Sequence, residues 1–141
     1  VEESERNRIL RTRLAQLHRR SPLDWASDNV DMLLSGTASS ESKLRAAAYG
    51  ADLTTAGISE AVRMMSESSL LRTLKRVHSP IFTIYGTDDT TTPPSSCLPQ
   101  LLAVQPAMRT HLIEKCGHLP PLEKPLELKR LIAGFIKETS R

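Results

Sequence analysis

The chain has 141 residues, of which 39% are hydrophobic and 25% are charged, and its formal net charge is +3 at pH 7. This composition is typical of soluble proteins and gives no reason to expect a nucleic acid as partner. No run of about 20 apolar residues occurs, so no membrane-spanning helix is predicted. Cys97 and Cys116 form no C-x-x-C pair, which suits a reducing compartment, and we expect a cytoplasmic protein.

Residues 1–78 show helical periodicity and almost no strand signal, so we predict four or five helices there. Ser21 followed by Pro22 is typical of a helix start, because the serine oxygen accepts a free amide and proline suits the first helical position. The predicted helices cover residues 3–19, residues 21 to before Gly36, residues 40 to before Gly57, a fourth capped by Ser59, and a short fifth beginning near Ser69.

The first predicted helix is rich in arginine, which raises the question of a phosphate-binding surface. Its arginines are Arg6, Arg8, Arg11, Arg13, Arg19 and Arg20. Leu10, Leu14 and Leu17 recur at helical spacing, so the pattern indicates an amphipathic helix whose arginines face water. Because no aromatic residues alternate with the arginines, we do not expect nucleic-acid binding.

Two runs of β-branched and aromatic residues, 81–85 and 110–114, are predicted strands. A helix is predicted between them, with Ser96 as its N-cap, so that Pro99 would lie in the first turn. A crossover that contains a helix returns the chain to the same edge of a sheet, so the two strands are expected to be parallel. Their carboxyl ends then lie at one edge, where open α/β sheets bind ligands.

A last helix is predicted from Pro125 onwards, and its apolar stripe is expected to pack on the sheet. The stripe consists of Leu128, Leu131, Ile132, Phe135 and Ile136. Glu123 and Glu127 lie near the predicted start of this helix, where a negative charge favours the helix dipole.

Each predicted strand is followed by a short segment that carries a polar side chain suited to catalysis. Residues 85–93 contain Asp89, and residues 116–125 contain His118. Neighbouring strands lie about 4.8 Å apart, so a carboxylate and an imidazole on adjacent strand-end loops can reach one another. Such a carboxylate fixes the tautomer of the imidazole and leaves the other ring nitrogen free as a base toward a nucleophile.

These two segments resemble the α/β-hydrolase family. The acid segment of that family reads G-x-x-D-x-x-x-P and its histidine segment reads G-H-x-x-x-x-E-x-P, and this sequence meets both patterns. They align Asp89, rather than Asp88, with the acid of the family, and His118 with its histidine. The resemblance implies a Ser-His-Asp triad, in the family's chain order of serine, acid, histidine.

The serine of that triad is not found in this sequence. No G-x-S-x-G occurs, and the nearest imitation, residues 35–40, is interpreted as a link between helices. We therefore expect the carboxyl-terminal half of a hydrolase: an α/β fold fragment with a helical cap region at 1–78 and a βαβα unit of a parallel sheet at 79–141. The missing amino-terminal half, as part of the same chain or as a separate chain, would supply the nucleophile and strands that pair with the first strand here.

The resemblance further implies a small-molecule substrate and no cofactor. The cap region looks most similar to the carboxylesterase and 3-oxoadipate enol-lactonase branch, which implies hydrolysis of an ester or lactone by acyl transfer to water. Trp25, Met64 and Met65 of the cap region, with Leu119 beside the histidine, are the candidate substrate-binding residues. No metal site is predicted, because His18, His78 and His111 have no paired ligand spacing.

Other interpretations of the sequence stay open. Related branches break carbon–carbon or carbon–halogen bonds with the same acid and base positions. A catalytically silent hydrolase-like protein could use the same pocket to bind a ligand or a partner. Cys116 precedes His118 by two residues, but its expected place at a strand end predicts a buried thiol rather than a nucleophile.

Overall fold

A helical section precedes a strand–helix–strand–helix unit in the computed structural model, which describes Arg8, Thr12, Ala15 and residues 21–140. Apart from these first three residues, the helix predicted at 3–19 lies outside the described residues, as do all of its arginines except Arg8. The elements are α1 (Pro22–Leu33), α2 (Ser40–Ala48), a 3₁₀ helix (Tyr49–Asp52), α3 (Thr55–Glu67), α4 (Leu70–Leu74), β1 (Phe82–Gly86), α5 (Pro94–Val104), β2 (Arg109–Ile113), α6 (Pro120–Glu123) and α7 (Pro125–Thr139). In this described part, no helix combines the length and the apolar character needed to cross a membrane.

Helices α1, α2 and α3 each begin after a residue whose side-chain oxygen accepts a backbone amide of the first turn. The Ser21 hydroxyl accepts the Asp24 amide at 3.1 Å in α1, with Pro22 at the first helical position as predicted. Thr54 starts α3 in the same way, because its hydroxyl accepts the amide of Gly57 at 3.0 Å. The prediction that Ser59 caps this helix is therefore wrong: the Ser59 hydroxyl donates to a carbonyl within α3.

Helix α5 also begins earlier than predicted. Pro94 occupies its first position, where the fixed φ of proline is already helical, and Pro93 is its N-cap. Ser96 therefore lies inside the first turn, and its role as N-cap is corrected. Pro99 falls in the helix interior rather than in the first turn.

The two strands pair in parallel, as the crossover requires. In their register Phe82 lies opposite Arg109, and Gly86 lies opposite Ile113. Ile113 of β2 is completely buried. In β1, the four residues before Gly86 are only half-buried. The expected pairing of β1 with strands outside this chain stays a prediction.

Helix α7 covers the sheet only in part. The ring of Phe135 packs on the ring of Phe82 in β1, with centroids 5.1 Å apart. Ile132 and Ile136 of the same stripe are 43% and 55% exposed, and no described residue of α7 is buried. The stripe therefore reaches the sheet through Phe135 and leaves a second apolar row open to solvent.

The helical section has a small core that joins it to the segment after β2. Val30, Leu34 and Ala46 are buried together, and Leu119 and Leu122 pack against them. Helices α1 and α2 therefore bury apolar surface on the same segment that carries His118. This packing brings the end of α1 beside the carboxyl ends of the strands.

We predict that Gly86→Ala destabilises the protein by about 1 to 3 kcal/mol, the usual cost of overpacking. A Cβ at Gly86 would overlap the backbone carbonyl oxygen of Cys116, which cannot move without shifting the histidine loop. Gly134→Ala is the matched control: it meets no atom within 4 Å and lies inside helix α7, where alanine is favoured. Urea unfolding of the complete protein would contradict the prediction if both variants were equally stable.

Candidate active site

The loops that follow β1 and β2 continue the pairing of the strands. The Thr87 amide donates to the Ile113 carbonyl at 2.9 Å, and the Asp88 amide donates to the Cys116 carbonyl at 2.8 Å. The Lys115 amide returns the link by donating to the Thr87 hydroxyl at 3.0 Å. The acid loop (residues 87–93) and the histidine loop (residues 114–119) are therefore fixed to one another by their backbones.

Asp89 and His118 meet at the end of this paired region. His118 Nδ1 lies 2.9 Å from Asp89 Oδ2, a hydrogen-bond distance. The Asp89 side chain is only 4% exposed, whereas the His118 ring is 34% exposed. The pair thus has a buried acid side and a base side that is open to approach.

Three further donors surround the Asp89 carboxylate. The amides of Thr91 and Thr92 donate to Oδ1 at 2.9 and 2.8 Å, and the Thr92 hydroxyl donates to Oδ2 at 2.8 Å. Burial raises the pKa of Asp89, but the Thr92 amide, His118 and the Thr92 hydroxyl together lower it, and the net pKa lies below its usual value. Asp89 is therefore a carboxylate at neutral pH.

An ionised Asp89 determines the tautomer of His118. A carboxylate can only accept hydrogen bonds, so we assign the ring proton to Nδ1, which donates to Asp89. The Thr92 oxygen lies 3.2 Å from the same nitrogen and can share that proton, because the Thr92 hydroxyl hydrogen is directed at Asp89. Nε2 of the neutral ring is then left with a lone pair and can act as a base.

Asp88 has a different environment from Asp89. The Ser35 hydroxyl donates to Asp88 Oδ2 at 2.6 Å, and the Thr87 hydroxyl donates to Oδ1 at 3.0 Å. The hydrogen bond from Ser35, followed by that from Thr87, lowers the pKa of Asp88. Adjacent aspartates thus point to opposite partners: Asp88 holds the end of helix α1, and Asp89 holds the histidine.

The end of helix α1 also contacts the histidine loop directly. The His118 amide donates to the Leu33 carbonyl at 2.8 Å, one of the carbonyls that a helix end leaves free. A Cβ at Gly117 would lie 2.6 Å from the backbone of Leu34 and Ser35, so only glycine allows this approach. Residues 35–40, which imitate a nucleophile motif in the sequence, link α1 to α2 as predicted, and the last of them, Ser40, is the first residue of α2.

Cys116 is a buried thiol beside the pair and is not a nucleophile. It has no exposed surface. Burial, with the neighbouring Glu123 carboxylate as the next cause, raises the pKa of Cys116 to about 12. The thiol is therefore protonated at neutral pH, as its expected place at a strand end suggested.

A small cavity of about 130 Å³ opens beside the pair. It is lined by the end of β1, by both loops and by the first residue of α6, with Tyr85, Asp89, Thr92, His118 and Pro120 among its walls. A larger hollow of about 630 Å³ lies at the amino ends of the strands, far from the carboxylate and the imidazole. The smaller cavity is the candidate site, because it contains the Asp89–His118 pair and the larger hollow does not.

Three of the four predicted substrate-binding residues, Met64, Met65 and Leu119, do not line this cavity. Met64 and Met65 are 64% and 60% exposed on α3, and Leu119 packs on the core of the helical section. Trp25 lies in α1, and its side chain is outside the part of the chain that the structure describes. A role of these residues in substrate binding stays a prediction.

Sequence reasoning missed three side chains that organise the site. Thr92 was an unspecified position of the acid pattern, and Ser35 belonged to an apparent linker. Glu123 was assigned to the dipole of the last helix, but it lies at the end of α6, and its carboxylate accepts the amides of Gly117 and Ser35. The glutamate of the histidine pattern was the one available signal, since it is a fixed position of that pattern.

The chain shares its fold with several solved structures. It resembles a bromoperoxidase from Bacillus anthracis (TM-score 0.77, 16% identity), an esterase from Thermogutta terrifontis (0.83, 19%) and an esterase from Exiguobacterium antarcticum (0.74, 11%). The matches cover 91%, 96% and 97% of this chain and 48%, 51% and 49% of those chains. No protein-family model and no curated protein matches the sequence.

The chain has the α/β-hydrolase fold over the part that it shares with these structures. It spans about half the length of each of them. The predicted fold class, a helical section followed by a parallel strand–helix–strand unit of this fold, is confirmed. At these identities the likeness concerns the fold alone.

We predict that Thr92→Val raises the pKa of Asp89, because the carboxylate loses one donor. A lowered pKa in the folded state contributes stability above the unfolded pKa of about 3.9, and this stability is lost as the pH falls through the folded pKa. The variant should therefore unfold in acid at a higher pH than the wild type. It should also lose about 1.5 to 3 kcal/mol at pH 7, the usual contribution of a hydrogen bond to a charged group.

The measurement is a pH titration of the Asp89 carboxyl carbon by NMR, together with acid unfolding of the complete protein. Thr92→Ser is the control, because it keeps the hydroxyl and should titrate like the wild type. Equal Asp89 titrations in the valine and serine variants would contradict the assigned role of the hydroxyl.

Proposed function

We propose that the protein carrying this chain hydrolyses a small-molecule carboxylic ester or lactone by acyl transfer to water. In this mechanism His118 is the general base and Asp89 orients it. The nucleophilic serine and the amides that stabilise the oxyanion belong to polypeptide outside these 141 residues. This chain alone is expected to be inactive.

The observation that carries the proposal is the placement of the His118 ring between a buried carboxylate and open space. Nε2 can remove the proton of a serine hydroxyl as the serine attacks the carbonyl carbon of the substrate. The imidazolium that forms is stabilised by the ionised Asp89 and later gives its proton to the leaving oxygen. Water then attacks the acyl group with the help of the same base, which releases the acid and restores the serine.

The position of helix α1 supports a role of the helical section as a cap over the site. Its last turn contributes the Leu33 carbonyl that fixes the backbone of His118. In this proposal the remaining cap residues, with Trp25, Met64 and Met65 as candidates, shape the substrate pocket and exclude water.

A non-catalytic protein that uses this cavity to bind a ligand is the main alternative. The pair of Asp89 and His118 favours the enzyme, because a binding module has no need of an ionised acid directed at an imidazole. A different nucleophile in the remainder of the protein would indicate carbon–halogen cleavage instead. The residue that approaches Nε2 in the complete protein therefore decides between these chemistries.

The test is hydrolysis of p-nitrophenyl butyrate and of γ-butyrolactone by the complete protein, whether one chain or two. His118→Ala and Asp89→Asn should each lower kcat by about 10³- to 10⁴-fold, as expected for members of such a triad. His78→Ala is the matched control, because His78 is exposed and borders the hollow at the other end of the strands. It should retain wild-type turnover.

Three outcomes would overturn the proposal or a part of it. Turnover that survives His118→Ala would remove the base from the mechanism. No turnover of any ester or lactone, together with binding of these compounds to the cavity, would favour the ligand-binding alternative. Hydrolysis by the isolated 141-residue chain would contradict the expected need for an outside nucleophile.

A further inference from the structure

The carboxylate of Glu123 joins two segments that are distant in sequence and meet behind the histidine. Oε1 accepts the amide of Gly117 at 2.8 Å, and Oε2 accepts the amide of Ser35 at 2.9 Å. We propose that Glu123 is a positioning residue for His118: it fastens the histidine loop to the end of helix α1 and thereby keeps the imidazole on Asp89. The catalytic part of this inference rests on the proposed function.

The first step concerns the backbone that carries His118. The amide of Gly117 is held by Glu123, and the amide of His118 is held by the Leu33 carbonyl at 2.8 Å. Two consecutive amides are therefore fixed by partners outside the histidine loop. Because the ring direction follows from the backbone and the rotamer, these two bonds restrict where Nδ1 can point.

The second step is that the acid loop is also attached to the segment after helix α1, through Ser35. Ser35 is 1% exposed, and both of its donors are used: its amide bonds Glu123 at 2.9 Å and its hydroxyl bonds Asp88 at 2.6 Å. A continuous path of contacts thus runs from Asp88 through Ser35 and Glu123 to Gly117. The direct hydrogen bond between Asp89 and His118 closes this path into a ring.

The third step explains why the joining group is a carboxylate. Two N–H donors bind it, one on each oxygen, and a carboxylate accepts at both. A glutamine of the same size offers one acceptor oxygen, and its NH₂ group would face the second amide as donor to donor. A buried amide without a hydrogen-bond partner is unfavourable, because it has also lost its bond to water, so the loop would move to find another partner.

Glu123 is itself held in place by the short helix that contains it. Its amide donates to the Leu119 carbonyl at 3.1 Å, and the hydroxyl of Ser42 in α2 donates to the carbonyl of Leu122 at 3.1 Å. Pro125 starts α7 directly afterwards. The carboxylate therefore acts from a rigid base, which a positioning residue needs.

The experiment compares Glu123→Gln with Glu127→Gln in the complete protein. Glu127 is the matched control, because it is an exposed glutamate in the first turn of α7. The first measurement is the downfield proton NMR signal of His118 Nδ1–H, which depends on the hydrogen bond to Asp89 and not on hydrolysis. The second is kcat and KM for p-nitrophenyl butyrate.

In Glu123→Gln we expect the Nδ1–H signal to broaden or disappear and kcat to fall about 10²-fold, the usual effect of a misplaced catalytic group, with KM nearly unchanged. Glu127→Gln should match the wild type in both measurements. A merely structural role would lower the unfolding midpoint of Glu123→Gln but leave the signal and kcat of the folded protein unchanged, and this result would overturn the proposal.

A second variant covers a failure of Glu123→Gln to fold. Glu123→Ala in the presence of sodium formate offers a small carboxylate to the two amides, and return of the Nδ1–H signal with formate would support the proposal. Refolding with formate without that signal would overturn it. If the wild type hydrolyses no ester, the proposed function fails, while the NMR comparison still decides whether Glu123 positions His118.

Discussion

The hydrogen bond from His118 to Asp89 depends on the parallel pairing of two five-residue strands. The register sets Gly86 opposite Ile113, so both loops leave the sheet at the same level. A slip of one strand by one residue would turn the side chains of that strand, and the loop that follows it, to the other face of the sheet and separate the two side chains. The chemistry proposed for this chain therefore depends on backbone register before it depends on any catalytic group.

Two glycines allow the loops to approach as closely as this bond requires. Gly86 faces the backbone of Cys116, and Gly117 faces the backbone of Leu34 and Ser35, in both cases without room for a Cβ. Both are fixed positions of the motifs read in the sequence. The glycines of the two motifs are therefore required by close backbone packing, whereas the aspartate and the histidine of the motifs form the acid–base pair.

The sequence predicted the parts of the structure that depend on local patterns. The strands expected at 81–85 and 110–114 lie one residue away from those places, at Phe82–Gly86 and Arg109–Ile113, and Asp89 rather than Asp88 faces the histidine. Helix starts were less predictable, since threonine and proline competed with serine for the N-cap. Partners of Glu123 lie up to 88 residues away, and no local pattern encodes such a contact.

Contacts across the predicted boundary at residue 78 limit how the helical section can move. Leu33, the last residue of α1, is bonded to the histidine loop, and Ser35, two residues after it, is bonded to the acid loop. The hydroxyls of Thr90 and Thr91 add two bonds to the Met32 carbonyl. Lifting the end of α1 from the two loops would break all of these bonds together, so the loops and the end of α1 are expected to move as one unit.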